Sequence, residues 1–272
     1  MSKGGFIMDC LKKLRSEGRK GLIAYIAAGD PSLAATVDIA RELFAAGADI
    51  IELGIPFSEP LADGPVIQQA SCRALAAGVN LSGILHAVEE IRRDCPQPII
   101  LMGYYNPIYQ YGIRQFVGDA AAAGSNGFIV PDLPFEESVH LRDAAREFDL
   151  DLIPLVAPTT TGSRLQKIVA KASGFIYCIS VTGVTGTRAE IKTDLDAFTA
   201  RVKRHTNLPL AIGFGIAGPE QAAGVASHCD AVVVGSAVVR AVAECGTALP
   251  AICAAALVKR IRSALDGMEK HC

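Results

Sequence analysis

The chain has no long apolar run, no block of like charge, no paired-cysteine motif and no histidine cluster. Each absence removes a class of function. The apolar stretches towards the C-terminus are cut by Arg240, Glu244 and Lys259, so no segment reaches the roughly 18 apolar residues a membrane-spanning helix needs. A formal net charge of -2, with charges of both signs interspersed, argues against nucleic acid or an anionic membrane as the main partner. The start, M-S-K-G-G-F-I-M-D-C-L-K-K-L-R, has basic residues but no apolar signal core behind them, and a cytoplasmic location is expected. Eight cysteines (Cys10, Cys72, Cys95, Cys178, Cys229, Cys245, Cys253, Cys272) are scattered without a C-x-x-C pair. In a cytosolic chain they read as reduced thiols acting as small hydrophobes. The five histidines show no metal-ligand spacing with one another or with cysteine, so no metal is expected.

What is present is a rhythm. After an amphipathic helix (Phe6, Leu11 and Leu14 against Lys12, Lys13 and Arg15), apolar strand-like runs alternate with helical tracts. The runs lie near Ile23, Ile50, Ile100, Ile129, Ile153, Ile176, Ala211 and Val233, the fifth being read as one strand over Asp151–Val156. One helix starts at Ser32 as N-cap, carries Leu33, Val37, Ala40 and Phe44 on one stripe, and stops at Gly47. Further helical tracts cover Leu81–Arg93, Ile113–Ala123, Glu136–Glu147, Ser163–Lys171, Asp194–Arg204 and Pro219–Ala226. Eight units without a linker, in a chain of 272 residues, predict an α/β fold: a single (β/α)8 TIM barrel over residues 1–272 with an extra N-terminal helix. A doubly wound open sheet uses the same local pattern, but the count and the length favour closure.

In a barrel the working face lies at the C-terminal ends of the strands, and the polar and glycine signals cluster there. The stretch Ala48–Pro65 (A-D-I-I-E-L-G-I-P-F-S-E-P-L-A-D-G-P) carries two acids. Glu52 sits within an apolar, β-branched run with no basic neighbour in sequence. Such surroundings raise a carboxyl towards neutrality, as suits an acid that both gives and takes a proton. Asp63 lies in a loop stiffened by Pro56, Pro60 and Pro65; read alone it is equally an Asx-turn residue. Glu59 reads as a solvated rim charge and Asp30 as a turn or capping residue. The prolines and glycines after Leu53 exclude a regular element within that loop.

The segment Gly213–Gly218 matches G-x-G-x-x-G, but no acid follows the next strand to hold a ribose. Gly215 after strand seven, and Gly235 and Ser236 opening a short helix (Ser236–Arg240) after strand eight, instead suit a barrel phosphate site. Gly186 in the sixth loop would add a donor. No lysine belongs to a strand run, so a Schiff base would need Lys192 to reach in from its loop. Tyr25, Tyr104, Tyr177 and Phe214 lie at strand ends and could line a pocket for a flat ring.

Several segments together are distinctive: E-L-G-I-P-F-S-E-P-L-A-D-G-P (Glu52–Pro65), L-M-G-Y-Y-N-P (Leu101–Pro107), V-P-D-L-P (Val130–Pro134), S-V-T-G-V-T-G (Ser180–Gly186), G-F-G-I (Gly213–Ile216) and G-S-A (Gly235–Ala237). On these the chain resembles the tryptophan synthase α-chain family over essentially its whole length. The resemblance implies a lyase that cleaves indole-3-glycerol phosphate to indole and glyceraldehyde 3-phosphate. It implies Glu52 as general acid/base, Asp63 at the indole nitrogen, and Tyr177 beside the chemistry. Gly186, Gly215, Gly235 and Ser236 would hold the phosphate, Tyr25, Met102, Phe214 and Val233 would surround the ring, and Thr185 would close the site over Asp63. It also implies a β-chain partner in an α2β2 complex, with pyridoxal phosphate carried only by that partner and no cofactor in this chain. The family usually has Asp where this chain has Glu59, which bears on the subunit contact. Two other readings stand beside the lyase: a phosphate-sugar isomerase on the same barrel, and a barrel serving only to activate a β chain.

Overall fold

The structure, a computed structural model, describes residues 5–179, 194–213, 215–246 and 249–268. Its strands are β1 (Gly21–Ala27), β2 (Ile50–Gly54), β3 (Ile99–Met102), β4 (Gly127–Ile129), β5 (Asp151–Leu152), β6 (Leu155–Val156), β7 (Ile176–Ile179), β8 (Leu210–Gly213) and β9 (Ala231–Val234). They pair in the order β5-β4-β3-β2-β1-β9-β8-β7-β6, and the pairings between neighbours are all parallel. The two ends of that order, β5 and β6, are consecutive pieces of one chain segment. The sheet is therefore a closed ring.

The single fifth strand expected over Asp151–Val156 is thus two pieces, and the reason is Pro154, which has no N–H to give a ladder. Ring continuity survives around it. The Ile153 N–H donates to the Phe128 carbonyl at 2.9 Å, and the Tyr177 N–H donates to the Pro154 carbonyl at 3.0 Å.

The helices are α1 (Phe6–Ser16), α2 (Leu33–Ala45), α3 (Pro65–Ala76), α4 (Leu81–Asp94), α5 (Tyr105–Tyr111), α6 (Ile113–Ala123), α7 (Val139–Glu147), α8 (Gly162–Val169), α9 (Leu195–Lys203), α10 (Pro219–Ala226), α11 (Ser236–Glu244) and α12 (Pro250–Gly267). The Ser32 side chain caps α2 by accepting from the Ala35 N–H. Two helices, α3 and α5, were not expected. Pro65 stands at the first helical position, where its missing N–H costs nothing, so the residue that reads as a breaker opens a helix.

Strand alternation sorts the core into two layers. Ile23, Tyr25 and Ala27, Ile50, Ile100 and Met102, Tyr177, Ala211 and Val233 fill the barrel interior. Leu22, Ala24, Ile51, Leu53, Leu101 and Phe128 face the helices. Ile7, Leu11 and Leu14 of α1 join the interior cluster, so the extra helix plugs one mouth. At that same end Arg262 of α12 donates to the Lys20 carbonyl and to Asp49, which accepts the Leu22 N–H. One mouth is sealed, and the loops of the other are left to build a site. No helix among the described residues is long and apolar enough to cross a membrane.

Candidate active site

Glu52 lies on β2, in register with Tyr25 of β1 and Ile100 of β3. It shares the inward face with Ile50 and is 1% exposed. Two glycines make room around it. A Cβ at Gly54 would overlap the Tyr25 hydroxyl, and one at Gly213 would overlap the Tyr177 hydroxyl; both rings lie across bare backbone at neighbouring strand ends. Burial, reinforced by the negative charge of Asp63, pushes the Glu52 carboxyl up to about 8. Its Oε2 has no hydrogen-bond partner among the described residues.

Asp63 reaches the same interior from the loop between β2 and α3 and is 5% exposed. Its backbone is tied: the N–H donates to the Pro60 carbonyl, and its carbonyl accepts from Gln68 Nε2, each at 2.9 Å. Oδ2 accepts a hydrogen bond from the Tyr104 hydroxyl at 2.9 Å, and that hydroxyl accepts the Ala62 N–H at 3.0 Å. Phe57 stacks on the Tyr104 ring, centroids 5.2 Å apart. Burial raises Asp63 to about 6, while the Tyr104 hydrogen bond works in the opposite direction. Its Oδ1, like Glu52 Oε2, has no partner among the described residues. Each of these two buried carboxyls thus has one oxygen without a partner among the described residues, which is uncommon for a buried polar atom. The phenols of Tyr25 and Tyr177 are pushed far up by burial and by both acids, so they stay neutral.

In the sequence Tyr104 reads only as a ring-pocket aromatic; its hold on Asp63 leaves no local mark, because the two lie 41 residues apart. Asp30 is likewise more than a turn residue. Arg73 of α3 donates to both its oxygens at 2.8 and 2.7 Å. That pair ties α3, and the Asp63 loop leading into it, to the end of β1.

Gly215 and Gly235 follow the adjacent strands β8 and β9. Gly215 has φ 87°, a conformation open to glycine at little cost. Gly235 is the N-cap of α11, with no side-chain cap, so the first N–H groups of a nine-residue helix point away from its body at the open end of the barrel. The helix runs to Glu244, longer than expected. Val233 and Met102 sit in the interior with Tyr25. Thr185, Gly186, Phe214 and Lys192 lie outside the described residues. Among the described residues no three His, Cys, Asp or Glu groups could hold a metal ion, and no lysine is buried. The geometry brings together a carboxyl raised to about 8, a second raised to about 6, two neutral phenols and, after β9, a helix N-terminus without a side-chain cap.

Comparison with known proteins agrees with this geometry. The family profile for the tryptophan synthase alpha chain matches residues 11–269. The chain is 52% identical to the tryptophan synthase alpha chain of Carboxydothermus hydrogenoformans over 225 residues, 83% of this chain and 84% of that one. It is 50% identical to that of Synechocystis sp. over 88% of this chain and 90% of that one. Among solved structures, the alpha chain from Legionella pneumophila superposes with a TM-score of 0.88 at 38% identity, covering 98% of each chain. Tryptophan synthase of Mycobacterium tuberculosis superposes at 0.89 with 36% identity over 96% of this chain and 98% of that one. An eight-position parallel ring with two buried acids at one mouth, matched from Leu11 almost to the end, belongs to the tryptophan synthase alpha chain family.

Proposed function

We propose that Glu52 and Asp63 divide the work of the family's reaction between them. The family's enzyme cleaves indole-3-glycerol phosphate to indole and glyceraldehyde 3-phosphate in tryptophan biosynthesis, and this chain is a carbon–carbon lyase of that kind. The bond broken joins indole C3 to C3′ of the glycerol side chain. Glu52, protonated near neutrality, delivers its proton to ring C3 and generates an indoleninium cation. The resulting carboxylate takes the proton of the C3′ hydroxyl; the C–C bond breaks as the carbonyl forms, and its electrons return to the ring. Glu52 ends protonated, as it began. Such proton transfers contribute typically ~10²–10⁴-fold. Asp63, ionised above about 6, faces the positive charge that develops at the indole nitrogen.

Tyr25, Met102 and Val233 enclose the ring and Tyr177 packs beside the reacting carbon; the family resemblance gives Phe214 and Thr185, outside the described residues, roles at the ring and at Asp63. Gly186, Gly215, Gly235 and Ser236 hold the phosphate, which anchors the substrate away from the bond that breaks. The observation that carries the assignment is the pair of buried carboxyls, with pKa values held apart at about 8 and about 6, each with an oxygen that has no partner among the described residues. Glu52→Gln should keep the fold and bind substrate while losing indole release; turnover near the unsubstituted level would sink the assignment.

The chain works as one domain over residues 1–272, in the cytoplasm, with no cofactor of its own. Its partner is the β chain, which carries pyridoxal phosphate, in an α2β2 complex. The loops around Asp63 supply a surface for it: Leu61 is 81% and Tyr109 60% exposed, and Glu59 is exposed on the same loop as Leu61. Added β chain should raise indole production, and Leu61→Asp should weaken that stimulation; equal stimulation would place the partner elsewhere.

A further inference from the structure

Two cysteines depart from the expectation of reduced, isolated thiols. Cys245 and Cys253 are joined as a disulfide, their Cα atoms 6.1 Å apart. Cys245 is the C-cap of α11, and Cys253 lies in the first turns of α12. Both are half-buried, within reach of a small thiol. By contrast Cys178 and Cys229 are fully buried free thiols. A disulfide in a cytoplasmic protein is most often transient, and a redox sensor.

The bond spans the seam between α11 and α12, beside a surface groove. A solvent-open groove of about 480 Å³ runs along that seam, lined by Ala237, Ala241 and Glu244 of α11 and by Cys253, Ala256 and Leu257 of α12, with Arg240, Lys259 and Arg260 also along it. A covalent link across a seam that is open on one side limits how far one helix can rock on the other. The helix it fixes is the one whose N-terminus is the anion seat, and nine residues of α-helix behave as a rod about 13 Å long.

We propose that Cys245 and Cys253 are a thiol–disulfide exchange site whose oxidation clamps α11 to α12 and tightens the seat for the substrate's phosphoryl group. The affinity half of this rests on the phosphate reading given above. The oxidant is a low-molecular-weight disulfide. One cysteine thiolate attacks it and expels a thiolate, leaving a mixed disulfide. The second cysteine thiolate then attacks the protein-side sulfur and expels the other half. Two electrons pass to the small disulfide, and the two protons from the cysteines end on its two thiols. A dithiol reverses both steps. The reduced form has a place to rest: Cys245 Sγ lies 3.2 Å from the Leu249 carbonyl oxygen, which can accept its S–H.

The test uses the full chain equilibrated with glutathione disulfide or with dithiothreitol. Peptide mapping after alkylation reports the bond, amide hydrogen exchange over residues 236–244 reports the clamp, and titration with inorganic phosphate reports the seat. Oxidation should link the two cysteines, slow exchange in α11 several-fold and tighten phosphate about 3–10-fold. Cys253→Ser and Cys245→Ser should both show the reduced behaviour whatever the oxidant. Free alkylation of both cysteines after oxidation, or α11 exchange indifferent to it, overturns the clamp. Phosphate that binds both forms equally overturns the affinity half. Phosphate that binds neither form sinks the anion reading of α11 and that half with it, while the clamp stands or falls on the exchange data.

Discussion

A carboxyl at about 8 and another at about 6 define a window of pH. In the proposed mechanism Asp63 must be ionised to face a cation, so activity should be lost as pH falls through about 6. Glu52 must begin protonated, so activity is lost as pH rises through about 8. The kcat/KM for indole release should be bell-shaped between those values; a profile flat from pH 5 to 9 would contradict the division of roles. Tyr104→Phe gives a finer check. It removes a hydrogen bond to the charged form of Asp63, so the acid limb should move up by about one pH unit with the basic limb unmoved. Glu52 was legible in the sequence because it is a lone charge in an apolar run. Tyr104 was not, since nothing local marks an interaction spanning 41 residues. The Asp30–Arg73 pair, 43 residues apart, was hidden for the same reason.

Elements were legible where their ends carry chemistry. Ile113–Ala123 and Pro219–Ala226 match expectation at both ends, one stopped by a left-handed Gly124 and the other opened by a proline. Pro65 opens α3 in the same way, yet it followed Pro56 and Pro60 and was read as the end of a stiff loop. Residue pattern could have corrected this, because Ile67, Ala70 and Ala74 of α3 are buried at helical spacing. The Cys245–Cys253 bond was hidden because a separation of 8 matches no short cysteine motif. At the level of α11, Gly235→Asp tests the anion seat. A Cβ there meets only ordinary contact with Tyr25, 3.4 Å away, so the fold should stand. A carboxylate beside the phosphate should raise KM for indole-3-glycerol phosphate roughly 10-fold or more, while leaving cleavage of the unphosphorylated analogue little changed.

At the scale of the whole molecule the site is a cost to stability. Glu52 has an ordinary value of 4.5 that burial raises to about 8, so between those limits the folded chain holds a proton that the unfolded chain releases. Stability is therefore fullest below about 4.5 and falls as pH rises, with the whole penalty present above about 8. The upper bound is on the order of 5 kcal/mol at 1.36 kcal/mol per pH unit. Glu52→Gln, neutral throughout, should melt several degrees above the parent at pH 9 and close to it at pH 4.5; an equal difference at both would show that the acid is not held protonated by the fold.

The ring itself has one more consequence. Open sheets expose rows of unpaired backbone groups on which another chain can pair, and such rows seed aggregation. Here the two strands that would form those margins, β5 and β6, are successive links of one chain, with only Ile153 and Pro154 between them. The single place where the circle could be unfastened is thus held by peptide bonds. A nick there would turn a barrel with no margin into a ribbon with two, and the proline that interrupts the ladder stands at the point where a clasp is needed most.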